Sequence, residues 1–315
     1  MRTFLLAASA LTLALTAAAP ATVARTDSAA EAARALAPVP PGKLSDAVRP
    51  TAYRIDLTVD PAQERFSGKV EIDTLLKRPA RFIDLHGRDL KMASAVAVAG
   101  GKRFPARYFE LDPTGVARLT FDRTLPAGKV TLLFDYDAPF NTGPAGMFRV
   151  KVADAWYSWT QFQSIDARAA FPGFDEPGFK VPFTVTLRTP KGLTAVSNAP
   201  QTSLTSENGM DVHRFAPTLP LPTYLMAFMV GPFASVGDTV APTPQRSWPL
   251  PVRIVTTQPN AAKMDFAMRG TKDIVRILED YFGQAFPYPN LDRSAPRSCP
   301  ARWRMPGRTS TTIRS

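Results

Sequence analysis

Hydrophobic and polar residues alternate along much of the first three quarters of the chain. From Tyr53 to Val59, large apolar residues alternate with Arg, Asp and Thr, which is the two-residue period of a strand with one buried face. The same period returns at 66–72, 130–136 and 183–187. A continuous apolar run at 224–231 predicts a further strand that is buried on both faces. We therefore predict a mostly β chain in which residues 46–242 form an antiparallel β-sandwich or saddle.

The pattern becomes helical near the end of the chain. A proline-rich link at 241–251 is followed by a short alternating stretch at 252–256, and then by apolar residues at three- and four-residue spacing as far as Phe282. Asn260 is a reasonable N-cap, and Gly283 is a reasonable stop. We predict one strand here and, after it, one helix from Asn260 to Phe282.

The first residues have the composition of a targeting sequence. A basic start at Arg2 precedes an apolar run of Leu, Ala and Thr, and small residues at 22–24 and 17–19 offer two alternative cleavage sites. We interpret residues 1–24 as a signal peptide and the Ala- and Pro-rich residues 25–45 as a linker. An uncleaved membrane anchor is the alternative, although it normally needs a longer apolar span. We expect a secreted or periplasmic protein with no membrane span after cleavage.

The chain is basic mainly because of its last residues. Of its 315 residues 45% are hydrophobic, which is enough for a large core, and the formal net charge is +11. Six arginines and no acidic residue lie within residues 293–315. Such a tail would normally suggest a nucleic-acid partner, but Trp303 is its only aromatic residue and a signal peptide takes a protein away from nucleic acid. We predict no nucleic-acid partner.

The segment from Thr160 to Pro177 carries the most distinctive chemistry. It has neither a helical nor a strand period, and it reads T-Q-F-Q-S-I-D-A-R-A-A-F-P-G-F-D-E-P. Because Gln161 and Gln163 are two apart, an extended backbone places their side chains on one face, where they can line one pocket, and turns Phe162 into the core. The alternative is a loop whose polar groups only satisfy its own backbone.

This segment resembles the amino-terminal signature of the zinc aminopeptidases related to aminopeptidase N and leukotriene A hydrolase, which are gluzincin metallopeptidases. The first hairpin, near 54–75, and the strand near 183–196 are also similar to that family. The predicted strand and helix, together with 281–292, resemble the opening of its thermolysin-like α/β catalytic domain. The resemblance therefore covers most of the chain and implies a peptide N-terminus as the substrate.

The resemblance also implies roles for single residues. Gln161 and Gln163 correspond to the positions that line the first specificity pocket of the family and help to hold the free amine of the substrate, so both are predicted substrate-binding residues. Asp166, Arg168 and the turn at 175–177 are predicted to be structural.

A Zn²⁺ cofactor is implied for the intact family enzyme. In the family, a G-x-M-E-N motif and then H-E-x-x-H with a distal Glu supply the grip on the amine, the metal ligands and a general base. Neither motif is present in this sequence, which has two distant histidines, His86 and His213, and one cysteine, Cys299. We expect ordinary histidines, no disulfide within the chain, no zinc bound by it and no catalytic residue in it.

Residues 248–292 then correspond to a truncated start of the catalytic domain. The basic tail at 293–315 can be explained by a change of reading frame. Residues 300–306 can be encoded by CCG GCG CGA TGG AGA ATG CCN, which reads Gly-Ala-Met-Glu-Asn-Ala in a shifted frame. Trp and Met have single codons, so part of this match was not chosen freely. We hypothesise that a deletion, an insertion or a sequencing error displaced the frame near Asp292 and made 293–315 an out-of-frame tail.

Two functions remain open from the sequence. The first is the amino-terminal fragment of a secreted zinc-dependent aminopeptidase that hydrolyses N-terminal residues from peptides, inactive by itself. The second is a non-catalytic β-rich module that binds peptides or another partner. In both cases the helix lacks most of the domain on which it would pack. We expect an exposed apolar face that includes Met268, Ile274, Leu278 and Phe282.

Overall fold

The fold is taken from a computed structural model, which describes residues 29, 31–33 and 35–294. The chain divides into two units, Met1–Pro38 and Val39–Ser315, and the elements below belong to the second. The predicted signal peptide at 1–24, part of the predicted linker, and residues 295–315 of the predicted tail lie outside the described residues.

Ten strands form the largest sheet. In spatial order they are β12 (Gln201–Glu207), β13 (Met210–Phe215), β10 (Phe183–Pro190), β1 (Val48–Thr58), β2 (Arg65–Leu76), β7 (Gly128–Pro139), β4 (Lys91–Ala99), β5 (Lys102–Glu110), β6 (Val116–Leu125) and β3 (Ala80–His86). Neighbouring strands are antiparallel, except that β1 and β10 are parallel. The prediction of a mostly β chain with antiparallel sheets is confirmed.

The alternating residues predicted to be buried are buried. Tyr53, Ile55 and Leu57 of β1 are at most 2% exposed, and the apolar positions of β2, β7 and β10 join them in one core. Since successive strand residues face opposite sides, the polar residues between them remain at the surface. Across these residues Arg54 of β1 pairs with Glu71 and Asp73 of β2.

A second sheet has four strands, and the Thr160–Pro177 segment begins at the end of one of them, β9 (Ala155–Gln161). The spatial order of this sheet is β11 (Thr194–Ser197), β14 (Phe228–Gly231), β9 and β8 (Gly146–Val152). The prediction of one doubly buried strand over 224–231 was wrong in its first half, because a 3-10 turn occupies Thr223–Leu225 and Leu225 is 47% exposed. In this part of the chain, the Asn198 side chain hydrogen-bonds to backbone groups that would otherwise pair with a neighbouring strand. It donates to the Leu225 carbonyl and accepts from the Ala227 amide.

The third sheet has three strands and supports a long helix. It consists of β15 (Ala234–Val240), β16 (Leu250–Thr256) and β17 (Leu291–Ser294). The helix α1 (Met264–Phe282) packs on this sheet through Met268 and Val275. Because β15 pairs with β16, the sheet extends across the predicted domain limit at 242. Because β17 pairs with β16 as far as Ser294, it includes the first two residues of the predicted tail.

The predicted C-terminal end of α1 agrees with the structure, whereas the predicted N-terminal end does not. Gly283 ends the helix in the left-handed conformation, with φ of 62°, as expected for a glycine stop. Asn260 is not the N-cap, because it lies in a 3-10 turn, Gln258–Lys263, and its side chain donates to the Thr257 hydroxyl. The α-helix begins four residues later, at Met264, without a side-chain cap.

The predicted exposed face of α1 is confirmed for three of its four residues. Ile274, Leu278 and Phe282 are 48%, 48% and 66% exposed, whereas Met268 is 6% exposed. The expectation for Met268 was wrong because β15 and β16 cover that side of the helix. Among the described helices, none combines the length and apolar character needed to cross a bilayer.

Candidate functional site

Gln161 and Gln163 lie where β9 leaves the second sheet. Gln161 is the last residue of β9 and pairs with Gly146 of β8. Gln161 is half-buried, Phe162 is 1% exposed and Gln163 is exposed, with a cis peptide between Gln163 and Ser164. This alternation of burial is the one predicted from the two-residue spacing of the glutamines.

Phe162 fixes the backbone between the two glutamines. Its ring meets those of Phe171 and Phe228 edge to face, with ring centroids 5.9 and 6.1 Å apart. One residue earlier than Gln161, the Thr160 hydroxyl accepts a hydrogen bond of 3.0 Å from the Phe228 amide. A rigid aromatic anchor of this kind limits the movement of its neighbours, so the two amide side chains start from a fixed backbone.

The charged residues of the segment form ion pairs and hydrogen bonds within the fold. The Arg168 side chain is 6% exposed; it donates to the Asp175 carboxylate at 3.1 Å and to the Thr114 carbonyl at 2.9 Å. Asp166 pairs with Arg88 at 2.7 Å. Asp166, Arg168 and Asp175 thus each make an ion pair in the fold. The structural role of these residues and of the turn at 175–177 stays a prediction.

A buried histidine completes this network. His86 is 2% exposed, and its Nδ1 accepts a hydrogen bond of 3.1 Å from the Asp175 amide. Burial, together with the nearby Arg168 guanidinium, lowers the pKa of His86 to about 3. His86 is therefore neutral and structural at ordinary pH. His213 is also buried, with Thr189 and Gln201 as its hydrogen-bonding partners.

Tyr53 connects the segment to β1. Its hydroxyl accepts a hydrogen bond of 2.8 Å from the Phe174 amide, and its ring stacks on Phe183 with centroids 4.7 Å apart. Burial raises the pKa of the Tyr53 hydroxyl well above its usual value. The far end of the segment is thus held by the large sheet, as its near end is held by the second sheet.

The chemistry available at the two glutamines is hydrogen bonding. A side-chain amide offers one acceptor oxygen and two N–H donors, and neither glutamine can act as an acid or a base at ordinary pH. In residues 35–294 and the few described before them, no group of three or more His, Cys, Asp or Glu side chains is placed to hold a metal ion. The described residues therefore do not fit a zinc site.

The sequence did not reveal a cavity of about 510 Å³ at the edge of the second sheet. It lies between residues 196–200, residues 217–221 and residues 286–292. Ser197 borders it, and the Ser197 hydroxyl has no hydrogen-bond partner. No sequence signal marked the cavity, because its walls come from distant parts of the chain. Neither predicted glutamine lines it.

The sequence also did not reveal the buried pair of Arg246 and Glu279, which joins the proline-rich link to α1. Arg246 Nε donates to Glu279 Oε1 at 2.8 Å, and their side chains are 0% and 3% exposed. A helical projection of the sequence would have indicated that Glu279 is buried. Glu279 lies at helical spacing from Met268, Thr271 and Val275, which form the buried face. A carboxylate at such a position predicts a buried cationic partner.

Comparisons with known proteins give the family. Residues 49–225 match the Peptidase M1 N-terminal domain. Aminopeptidase N from Acetobacter pasteurianus is 30% identical over 268 residues, which cover 81% of this chain and 70% of that protein. Aminopeptidase M1-B from Oryza sativa subsp. japonica is 28% identical over 80% of this chain, and glutamyl aminopeptidase from Rattus norvegicus is 27% identical over 80%.

These relatives differ in how much of their own length is matched. This chain spans less than a third of the rice and rat proteins, with 29% and 27% covered. The matched part includes the segment from Thr160 to Pro177 and, in the family model, ends at residue 225, within the 3-10 turn before β14. The family model covers more than half of the 315 residues, and the chain belongs to the M1 peptidase family.

Proposed function

We propose that this chain is the amino-terminal, substrate-facing part of a zinc-dependent aminopeptidase that removes the first residue of peptides. The observation that carries the proposal is the Peptidase M1 N-terminal domain at residues 49–225. Relatives that share 25–30% identity with the chain are aminopeptidases. A signal peptide at residues 1–24 makes the proposed enzyme secreted or periplasmic.

In this proposal Gln161 and Gln163 hold the free amine of the peptide. A protonated amine is a donor without acceptor capacity, and the two amide oxygens are acceptors. The burial of Phe162 fixes the backbone between them. Since holding the substrate in one orientation lowers the entropy cost of the reaction, the role of these residues is to position the substrate rather than to react with it.

In the intact enzyme, a bound Zn²⁺ would act as a Lewis acid that activates water and polarises the scissile carbonyl. The printed sequence contains neither H-E-x-x-H nor G-x-M-E-N. We propose that both motifs are encoded downstream in another frame, since residues 300–306 are compatible with Gly-Ala-Met-Glu-Asn-Ala in a shifted frame. By itself the chain binds a peptide N-terminus weakly and does not hydrolyse it.

Resequencing the gene from codon 280 onward tests the proposed change of frame. We expect one shifted frame to read through Gly-Ala-Met-Glu-Asn into H-E-x-x-H and a distal Glu. A confirmed tail whose codons exclude that reading would contradict the change of frame. The enzyme function would then be limited to ancestry, and the non-catalytic peptide-binding module would be the better account of this chain.

Binding by the two glutamines is tested with peptides that differ only at their amino terminus. We expect the chain to bind a free-amine peptide better than the same peptide acetylated, because acetylation removes the charge and donors of the amine. Gln161→Ala and Gln163→Ala should each weaken binding of the free-amine peptide about fivefold, as expected for one lost hydrogen bond of about 1 kcal/mol. NMR titration with the two peptides measures both effects.

Gln63→Ala is the matched control, because Gln63 is exposed and lies in the turn between β1 and β2. It should leave the affinity unchanged. Equal affinity for the free and acetylated peptides would show that the glutamines do not hold an amine. Such a result leaves the family assignment intact and removes the residue roles.

A further inference from the structure

Three turns of the large sheet lie next to one another. They connect β2 to β3, β4 to β5 and β6 to β7, and they comprise residues 77–79, 100–101 and 126–127. Strand pairing brings them together, because Leu76 at the end of β2 is opposite Gly128 at the start of β7. In the same way, Ala80 at the start of β3 is opposite Leu125 at the end of β6. The β4–β5 turn follows on the other side of β7, since β4 pairs with β7 as far as Val98. These three turns therefore form one end of the large sheet.

This end of the sheet has a high density of basic residues. Residues 77–81, 100–103 and 122–129 contain seven basic residues and one acidic residue, Asp122. All seven basic residues are exposed. We call them the basic rim, and they are Lys77, Arg78, Arg81, Lys102, Arg103, Arg123 and Lys129. The three turns themselves contain no acidic residue, so positive and negative charges do not alternate here as they do on an ordinary protein surface.

Neighbouring carboxylates neutralise little of this charge. Lys77 pairs with Asp46, and Asp122 pairs with Arg107 of β5 at 2.8 Å. The other six members of the basic rim form no ion pair within the part of the chain that the structure describes. With Asp46 and Arg107 included, this end of the sheet has eight basic and two acidic residues, whereas all of residues 35–292 contain 29 basic and 25 acidic residues. The net positive charge of residues 35–292 is therefore concentrated at the basic rim, and the remainder is slightly acidic.

Apolar residues lie among the charges of the basic rim. Pro79, Pro126 and Ala127, in two of the turns, are exposed, and Leu75, directly opposite Lys129, is 46% exposed. Basic side chains around exposed apolar groups are typical of surfaces that bind anionic membranes, where the charges meet headgroup phosphates and the apolar groups reach the acyl boundary. Proteins that bind single-stranded nucleic acid instead present aromatic side chains on which bases stack. The stretches that carry the basic rim contain no aromatic residue, so their chemistry favours a bilayer.

The basic rim and the Thr160–Pro177 segment lie at opposite ends of β3 and β6. The segment contacts the last residue of β3, His86, and the turn before β6, at Thr114. The basic rim instead includes the connection that enters β3 and the connection that leaves β6. The third sheet, which carries α1, packs against the second sheet through Val255. The exposure of the basic rim therefore does not come from the open face of α1.

We propose that the basic rim docks this chain on the surface of an anionic phospholipid bilayer, without spanning it. The basic side chains bind headgroup phosphates, and the apolar residues of the turns enter the interface between them. The Thr160–Pro177 segment, at the opposite ends of β3 and β6, then lies on the side away from the bilayer. The docking does not depend on the roles proposed for Gln161 and Gln163, and it goes beyond the proposed function.

Co-sedimentation of the full chain with lipid vesicles tests the proposal. We expect binding to vesicles of equal parts phosphatidylglycerol and phosphatidylcholine, and no binding to phosphatidylcholine alone. Raising the salt to about 1 M should abolish binding, because the Debye length falls from about 10 Å at about 0.1 M to about 3 Å. The double variant Lys102→Glu/Arg103→Glu should lower the partition coefficient at least about tenfold, since each basic residue near an anionic surface contributes about fivefold.

The double variant Lys151→Glu/Lys191→Glu is the matched control. Lys151 and Lys191 are exposed and lie outside the basic rim. Their reversal changes the net charge by the same amount, and the partition coefficient should stay within about threefold of the original. Both double variants keep residues 293–315, so any binding through that basic tail is common to them. The difference between the two variants therefore measures the basic rim alone.

A second rim variant, Arg78→Glu/Lys129→Glu, reverses charges beside the other two turns. It should also bind at least about tenfold more weakly, and circular dichroism checks the fold of every variant. Equal binding by the rim variants and the control variant would overturn the proposal, because charge anywhere on the chain would then suffice. Retention on heparin that depends on the basic rim, without binding to vesicles, would also overturn it and would assign the rim to a soluble polyanion. Neither result affects the family or the proposed function.

Discussion

Replacing Glu279 with alanine is expected to lower the free energy of unfolding by about 3–5 kcal/mol. Glu279 Oε1 accepts hydrogen bonds from Arg246 Nε at 2.8 Å and from the Phe286 amide at 2.9 Å, and Oε2 accepts one from the Thr243 hydroxyl at 2.8 Å. Burial opposes ionisation of Glu279, but these hydrogen bonds outweigh it and hold the pKa of its carboxyl below the ordinary value. The alanine variant leaves the fully buried Arg246 charge without its counter-ion.

Urea unfolding followed by tryptophan fluorescence measures this loss. Glu279→Gln keeps the volume and some hydrogen bonds but removes the charge, so it should lose most of the same free energy. The double variant Arg246→Met/Glu279→Leu removes both charges and should recover most of it, because two apolar side chains need no counter-ion. A loss below about 1 kcal/mol in Glu279→Ala would show that the pair is not a tether between the link and α1.

Acidification from pH 7.5 to 5 is expected to remove about 2 kcal/mol of stability through His86 alone. In the unfolded chain this histidine binds a proton near pH 6.5, whereas in the folded chain its pKa is about 3. The unfolded state therefore holds more protons throughout this interval, and stability falls as the pH falls. The slope approaches 1.4 kcal/mol per pH unit below pH 6.5, as follows from about 1.36 kcal/mol per pKa unit.

His86→Asn isolates this contribution, since the asparagine oxygen can replace Nδ1 as the acceptor for the Asp175 amide without titrating. Unfolding free energies of the variant should depend less steeply on pH between 6.5 and 5 than those of the original chain. His213 is the matched comparison, because burial also lowers its pKa and His213→Asn should remove a separate part of the slope. An unchanged slope in His86→Asn would mean that the folded state protonates His86 normally.

Much of the fold followed from periodicity, and the exceptions have physical causes. The strand around Tyr53 was predicted because it needs only one buried face and a two-residue period. The run at 224–231 was misjudged because a side chain 27 residues from Leu225 in sequence, Asn198, competes for the backbone. Competition of this kind depends on tertiary position, which no local pattern records.

In the candidate site, too, features that depend on local geometry were predicted and those that depend on distant residues were not. The spacing of Gln161 and Gln163 predicted the alternation of burial around Phe162, because it depends only on local geometry. One ring partner of Phe162, Phe228, comes from β14, and the Tyr53 hydroxyl that accepts from the Phe174 amide comes from β1. The cavity beside Ser197 is built wholly from segments that are distant in sequence. It could therefore not be predicted from local sequence patterns.

The parallel pairing of β1 with β10 sets an order of events during synthesis. Tyr53 lies opposite Phe183, so β1 waits for a partner that is translated about 130 positions later, or roughly 7–26 s at 5–20 residues per second. During that interval β1 can pair with β2, but its other edge remains open and the Tyr53 ring lacks its stacking partner. Until β10 has been synthesised, the edge of β1 that pairs with it therefore has no partner strand.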